Sequence, residues 1–221
     1  GVPLYSGAEV IGLLALGNEP NGFSEALGEA LRPLGNTIGS LIGTHRLTIE
    51  RRSFERKLQQ AAYFDALTGL PNRRLFDEQF EHRLGVADTA GETLALCLID
   101  LDGFKEINDR HGHAVGDRVL RAIAGRLREM ADASDVLARL SGDEFALIVP
   151  HDPEGARYQR ILESLSAMIA FDDFRLGVSA SIGVTLYPDD KPDKEQLLRH
   201  ADQAMYAAKE SGKNRMAFFA L

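Results

Sequence analysis

Hydrophobic and polar positions alternate between strand-like and helix-like spacings along most of this 221-residue chain. Two apolar runs, 2–5 and 9–16, are joined by a Ser-Gly-Ala turn and predict a β-hairpin. From Ser24 to about Asp65, apolar residues recur at spacings of four and three, which is typical of a long helix. Ser24 is suited to cap that helix, and Pro33 predicts a kink or a helix restart just before it.

Two interpretations of the long helix stay open. Its apolar stripe consists of Leu27, Leu31, Leu34, Ile38 and Leu41. This stripe could pack on the body of a preceding domain, or it could pair with a second copy in a parallel coiled coil. The narrow apolar stripe and the basic segment 51–57 favour the coiled coil, because they leave the opposite face of the helix in contact with water. Gly35, Gly39 and Gly43 share one face and would let a second helix approach closely.

A second group of patterns follows the helix. Residues 65–74 carry helix-breaking glycine and proline, and Asn72 is suited to cap a helix that ends near Leu84. The polar segment 85–92 is expected to be a loop. Residues 93–101 form a nearly continuous apolar run, which predicts a buried central strand.

The remainder alternates helical and extended patterns. We predict a helix over 117–130, a hairpin over 135–149, a helix over 154–170, a strand over 175–185, a helix over 194–211 and a strand over 216–220. Helices that alternate with an antiparallel hairpin indicate an α+β or α/β sandwich built on one sheet.

Composition narrows the functional classes. The net charge of −8 argues against broad nucleic-acid binding, which needs a basic surface. The longest apolar run, 10–16, is too short to cross a membrane. Cys97 is the single cysteine and forms no internal disulfide, which is consistent with a reducing compartment. We therefore expect a cytoplasmic protein with no nucleic-acid partner and no membrane segment in this chain.

Four acidic side chains mark the most distinctive stretches. Asp100 and Asp102 stand at the carboxyl end of the apolar strand, where α/β folds place their ligands. Asp143 and Glu144 lie at the tip of the hairpin, where a solvated turn and a functional site are equally compatible with the sequence. A magnesium ion needs one or two carboxylates, so Asp100 with Asp143 or Glu144 predicts a metal site. Asp102 either joins that site or caps the next helix.

The segment after this strand contains groups suited to a nucleotide. A helical turn that starts near Gly103 would offer free N–H groups to phosphate, and Lys105 would add a positive charge. Asn108 and Asp117 supply an amide and a carboxylate, which suit the adjacent donors and acceptors of a guanine edge.

One pair of histidines and one group of basic residues near the end of the chain each allow two interpretations. His111 and His113 have the spacing of a metal pair, but no cysteine lies nearby, so a turn role for His113 is favoured. Lys209, Lys213 and Arg215 surround a helix C-terminus, where cations suit the helix dipole. The alternative is that they clamp phosphates.

Residues 65–221 resemble the GGDEF family of diguanylate cyclases over their whole length. The motifs that carry the resemblance are Asp-Ala-Leu-Thr-Gly-Leu-Pro-Asn-Arg-Arg from Asp65, Asp-Leu-Asp-Gly-Phe-Lys from Asp100, Gly-His-Ala-Val-Gly-Asp from Gly112, Arg-Leu-Ser-Gly-Asp-Glu-Phe from Arg139, Ser-Ile-Gly-Val from Ser181, and Ala-Asp-Gln-Ala-Met-Tyr-Ala-Ala-Lys-Glu-Ser-Gly-Lys-Asn from Ala201. The resemblance implies an α+β fold like that of nucleotidyl cyclases, with a central mixed sheet surrounded by helices. It also implies that two GTP molecules are joined into cyclic di-GMP, with release of pyrophosphate.

The resemblance assigns roles by position. It implies that the metal, Mg²⁺ or Mn²⁺ in its place, is held by Asp100, Asp143 and the carbonyl of Leu101. The implied catalytic residues are Asp143, Glu144 and Lys105, while the identity of the general base stays open. The implied substrate contacts are Gly103, Phe104, Asn108, His113, Asp117, Gly142, Lys209 and Lys213.

The resemblance also divides the chain. About 45 residues at the start are similar to the closing strands and last helix of a GAF sensor domain. Residues 1–23 are therefore expected to end a truncated GAF-like domain, 24–64 to form a helical linker, and 65–221 to form the GGDEF domain. Because each subunit would hold one GTP, the resemblance implies a homodimer joined through the linker.

Three departures from the family pattern bear on activity. Ser141 replaces the first glycine of the signature, which costs little if its φ is negative. Lys213 stands where arginine is usual and loses bidentate geometry. Asp132 replaces the arginine of an inhibitory Arg-x-x-Asp product site that ends at Asp135, so we expect no strong product inhibition there. The alternative function is a degenerate module that binds GTP or cyclic di-GMP without turnover.

Overall fold

Two units make up the chain in the computed structural model, residues 1–60 and residues 61–221. The structure describes residues 2–15, 17, 24–171, 174–189 and 193–220.

The first unit contains the predicted hairpin and most of the long helix. Strands β1 (Val2–Ser6) and β2 (Glu9–Leu14) pair antiparallel, and helix α1 spans Glu25–Tyr63. The hydroxyl of Ser24 accepts a hydrogen bond from the Leu27 amide at 3.3 Å, which confirms the predicted cap. The helix continues through Pro33, so the predicted restart is wrong.

The glycine face of α1 is covered by β1 within this unit. A Cβ added at Gly39 would overlap the backbone of Tyr5, and one added at Gly43 would overlap the Ser6 side chain. These glycines therefore admit a strand, and the expectation that they receive a second helix is wrong. The apolar stripe of α1 is divided by this packing: Leu31 and Ile38 are half-buried, whereas Leu27, Leu34 and Leu41 are 39%, 50% and 66% exposed.

The second unit is built on one mixed sheet. Its elements are α2 (Arg73–Ala90), β3 (Leu94–Asp102), α3 (Phe104–His111), α4 (His113–Met130), β4 (Val136–Ser141), β5 (Glu144–Pro150), α5 (Ala156–Ser166), β6 (Ile169–Ala170), β7 (Arg175–Leu176), β8 (Ser179–Tyr187), α6 (Lys194–Glu210) and β9 (Arg215–Phe218). Five of the strands form one sheet in the order β4-β5-β3-β8-β9, in which β8 and β9 are parallel and the other pairs antiparallel. The expected α+β fold is confirmed.

Strand β3 is the centre of this sheet. Its apolar residues are buried because helices α4 and α5 cover one face of the sheet and helices α2 and α6 cover the other. This burial on both faces explains the uninterrupted apolar run in the sequence. The registers of β5 and β8 place Glu144 and Ser181 on either side of Asp100.

Several predicted boundaries are wrong: α4 starts at His113 instead of residue 117, and the strand predicted over 175–185 is divided into β7 and β8. Helix α2 starts at its Asn72 cap, which accepts from the Leu75 amide at 3.1 Å, but it runs through the expected loop to Ala90. It continues because Ala87 is buried on the same face as the earlier core residues of the helix. Helix α5 ends at Ser166 instead of near residue 170, because β6 pairs with β7.

Candidate active site

The predicted metal carboxylates come together at the end of β3. Asp100 lies opposite Glu144 in the β3–β5 ladder, and Asp143 occupies the turn that precedes Glu144. Burial raises the pKa of Asp143, and the charge of Asp100 raises it further, although Lys209 acts in the opposite direction. The Lys209 ammonium is 2.9 Å from a carboxylate oxygen of Asp100. Two crowded carboxylates that already attract a cation fit a hard divalent ion.

The hairpin tip accommodates the serine that departs from the family signature. Gly142 has a φ of 42°, which favours glycine. The non-glycine residues with positive φ in the described part of the chain are Lys213 and Asn214, so Ser141 carries no such strain. The Ser141 hydroxyl donates to a carboxylate oxygen of Glu144 at 2.7 Å. Ser141 therefore positions Glu144 at no cost to the turn.

Arg139 connects the hairpin tip to the segment that follows α1. Its guanidinium donates to the Gly142 carbonyl at 2.9 and 2.6 Å and lies 2.9 Å from the Asp65 carboxylate. Its backbone amide donates to the carbonyl of Pro71 at 2.9 Å. Burial acts to raise the pKa of Asp65, but hydrogen bonds from Thr68 and Arg139 outweigh it and lower the pKa. Asp65, the ion-pair partner of Arg139, is 74 residues away in the sequence, so the motif alone does not reveal this contact.

Asp102 does not cap the next helix. The cap of α3 is Gly103, with a φ of 70° and no side-chain hydrogen bond. Asp102 accepts hydrogen bonds from the hydroxyls of Ser179 and Ser181, both at 2.7 Å, and from the Asn214 amide at 3.0 Å. The carboxylate thus fixes the turn that contains Lys213. The predicted cap is therefore wrong, and the hydrogen-bond partners described for Asp102 belong to β8 and to the turn before β9.

The two proposed guanine-binding residues stand on consecutive helices. Asn108 is in α3, and Asp117 is in α4, which begins directly after Gly112. Both side chains are half-buried. The Asn108 amide lies against Gly116, the residue before Asp117. The Asn108 amide therefore lies in the crease between α3 and α4, the helix that carries Asp117.

The remaining predicted residues lie on α3, on α4, on β3 and in the turn before β9. Phe104 and Lys105 form the first turn of α3, where Lys105 is exposed. His113 is the exposed first residue of α4. Lys213 is exposed and held in the left-handed conformation with a φ of 59°. Leu101 is buried in β3.

The region of the family's product site is closed by an internal ion pair. Asp135 is fully buried and pairs with the Arg157 guanidinium, which also lies 3.2 Å from Asp132. Burial raises the pKa of Asp135, while the hydrogen bond from the Asp132 amide and the charge of Arg157 oppose the shift. The acid that would face a ligand is therefore already occupied by an arginine of α5.

Comparison with known proteins agrees with this arrangement. The family described as "Diguanylate cyclase, GGDEF domain" matches residues 62–215, and the chain belongs to this family. Diguanylate cyclase TpbB of Pseudomonas aeruginosa PAO1 is 42% identical over 167 residues, which cover 72% of this chain and 38% of TpbB. Cyclic di-GMP phosphodiesterase NbdA of the same organism is 39% identical over 165 residues, which cover 73% of this chain and 21% of NbdA.

Solved structures place the fold in the same family. The coiled coil and GGDEF domain of DgcB from Caulobacter crescentus, in complex with c-di-GMP, matches with a TM-score of 0.69 and 27% identity. The match covers 83% of this chain and all of that one. The chain spans less than two fifths of the two curated relatives named above. None of the helices described here is long and apolar enough to span a bilayer.

Proposed function

We propose that this chain is the output part of a diguanylate cyclase, which condenses two GTP molecules into cyclic di-GMP and releases pyrophosphate. The main support is the cluster at the end of β3, where Asp100, Asp143 and Lys209 interact. A phosphoryl transfer of this kind depends on positioning and on neutralising the charge of phosphate oxygens, and such a cluster can do both.

Asp100 and Asp143 would hold the divalent ion, Mg²⁺ or Mn²⁺, with the Leu101 carbonyl as a further ligand. The bound ion would neutralise phosphate oxygens and ease attack on the α-phosphorus. Lys209 pairs with Asp100 in the structure, so a cation at Asp100 would free its ammonium for a substrate phosphate. Lys105 and Lys213 would supply the other positive charges, together with the backbone of Gly103 and Phe104.

The other residues would orient the two reacting groups. Asn108 and Asp117 would bind the guanine edge, with His113 near the entrance to that crease. Glu144, which is held by Ser141, would contact the attacking 3′-hydroxyl, while Gly142 would allow close approach. Each hydroxyl would displace pyrophosphate from the α-phosphorus of the opposite GTP, so two sites must face each other.

A second copy of the chain would provide the opposite site. Leu27, Leu34 and Leu41 recur every seven residues and remain exposed in the first unit, as the seam of a coiled coil requires. We infer that residues 24–64 join two copies. We also infer that 1–23 end a GAF-like sensor domain and that 65–221 form the GGDEF domain.

The direct test is incubation of the chain with GTP and MgCl₂, followed by chromatographic separation of the nucleotides. Cyclic di-GMP should accumulate with the wild type and should be absent with Asp143→Asn. A dimeric wild-type sample that never forms cyclic di-GMP would contradict the proposal.

The second candidate is a module that binds GTP or cyclic di-GMP without turnover. Its support is the similarity to NbdA, which is named as a cyclic di-GMP phosphodiesterase. A segment related to this chain therefore occurs in a protein that is named for the breakdown of cyclic di-GMP and not for its synthesis. Calorimetry distinguishes the two functions, since the second predicts GTP binding with no release of pyrophosphate.

A further inference from the structure

Gly116 stands where α4 meets the side chain of Asn108. The residue is buried in the first half of α4, and its backbone is helical. Any amino acid can adopt that conformation, and alanine would favour a helix more than glycine does. The reason for glycine here is therefore space, not backbone freedom.

The space above Gly116 is filled by the Asn108 amide. A Cβ added at Gly116 would overlap the Asn108 Oδ1 and lie 3.0 Å from its Cγ. The same Cβ would lie 3.2 Å from Cζ of Phe104, a distance that the ring can relieve by a small shift. A side chain at position 116 would thus displace the end of Asn108 first, and this side chain can rotate without disturbing the fold.

The position also determines where the Asn108 amide lies on α4, one residue before Asp117. The amide is seated against the helix backbone because nothing projects from residue 116. We propose that Gly116 is a positioning residue for guanine recognition, which acts by seating Asn108 against α4. This inference rests on the proposed function, since it assumes that Asn108 contacts the base.

Alanine substitution tests the inference, and α4 offers a matched control. Gly125 lies on the same helix, and a Cβ added there would meet no atom within 4 Å. Gly116→Ala and Gly125→Ala therefore change helix propensity in the same way. They differ in whether the added side chain meets Asn108 and, less closely, Phe104.

The inference predicts a selective loss of substrate affinity. Gly116→Ala should raise the KM and the Kd for GTP by about tenfold, the loss that one displaced hydrogen-bonding group typically causes. Its kcat should stay within about threefold of wild type, because uniform binding is lost. Gly125→Ala should leave KM, Kd and kcat unchanged, and neither variant should lower the Tm.

A double variant identifies the route of the effect. If Gly116 acts through Asn108, Asn108→Ala with Gly116→Ala should bind GTP no more weakly than Asn108→Ala alone. Additive losses would show that the Cβ acts through Phe104 or the helix, and would overturn the inference. An unchanged Kd for GTP in Gly116→Ala would overturn it as well.

Calorimetric binding keeps this test separate from the proposed function. If wild type binds GTP but forms no cyclic di-GMP, the proposed function fails, and the Kd values of wild type and the four variants still decide the role of Gly116.

Discussion

At the scale of single residues, the burial of Asp143 beside Asp100 favours cation binding at the expense of folding stability. Burial and the charge of Asp100 raise the pKa of Asp143 above its ordinary value of 3.8. A raised pKa means that folding favours the protonated acid: the contribution to stability is present at low pH and is lost as the pH rises through the folded pKa. At neutral pH, the ionised Asp143 therefore costs stability that a bound cation would recover.

Asp143→Asn should accordingly raise the Tm at pH 7 in metal-free buffer, by about 2–4 °C for each kcal/mol recovered. The same change should abolish turnover, and added MgCl₂ should raise the Tm of wild type but not that of the variant. Differential scanning calorimetry measures both effects, with the exposed Asp109→Asn as a control. A lower Tm for Asp143→Asn at pH 7 would contradict this account of the site.

Ser141 should not limit activity, because its backbone is unstrained and its hydroxyl binds Glu144. Ser141→Gly should therefore leave kcat within about threefold of wild type, because this hydrogen bond is exposed and water can replace the hydroxyl. Initial-rate measurements of pyrophosphate release check this, with Ser141→Ala to isolate the hydroxyl. A gain of two orders of magnitude in Ser141→Gly would show that the serine impairs the signature.

At the scale of elements, Arg139 joins the segment that follows α1 to the turn that carries Asp143. Its side chain is 11% exposed and that of Asp65 is 24% exposed, so solvent screens the pair only in part. The same guanidinium holds the Gly142 carbonyl, so this connection supports both the segment at 65–71 and the hairpin tip.

Arg139→Ala should lower the free energy of unfolding by about 2–3 kcal/mol, because it removes the positive charge beside the partly buried Asp65 carboxylate, which keeps only Thr68 as a donor, and takes the guanidinium from the Gly142 carbonyl. Denaturant unfolding measures the loss, and a cycle with Asp65→Ala isolates the pair. If the two single losses simply add in the double variant, the ion pair contributes nothing and the interpretation is wrong.

A second contact between elements is the ion pair between Asp135 and Arg157, in the region of the family's product site. Since Arg157 of α5 already pairs with Asp135, cyclic di-GMP should change the initial rate by less than about twofold at saturating GTP, where competition at the active site is suppressed. Rates measured with and without added product test this. Non-competitive inhibition that disappears in Asp135→Ala would show that the site is functional.

Sequence patterns predicted the elements better than the contacts between them. The run before Asp100 and the hairpin around Gly142 were predictable, because an apolar run bounded by turn residues has few alternatives. The extension of α2 past residue 85 was not, since a polar segment can stay helical when one face, here Ala87, is buried. The partners of Asp102 were also beyond prediction, because Asn214 is 112 residues distant and meets it only through the sheet.

At the scale of the whole molecule, the proposed reaction needs two copies of the chain. The exposed leucines of α1 offer the seam, while its glycine face is occupied by β1. The candidate site residues could be named from the sequence motifs. Which face of α1 stays open to a partner could not, because it depends on how the β1–β2 hairpin packs on the helix.

Leu41→Asp should therefore shift the chain toward monomer and lower its specific activity by about tenfold or more at low protein concentration, because a charge in an apolar seam is desolvated on pairing. Ser40→Asp is the matched control, since Ser40 is an exposed neighbour that lies off the stripe. Sedimentation velocity and rates at several protein concentrations provide the readout. A monomeric Leu41→Asp with full activity would refute the need for a dimer.

The ratio of products tests the central proposal most directly. Wild-type protein incubated with GTP and MgCl₂ should release two pyrophosphates for each cyclic di-GMP formed, and specific activity should rise with protein concentration until the dimer is saturated. GTP that stays bound and unchanged, with neither product released by a dimeric sample, would contradict the proposal that this chain is a diguanylate cyclase.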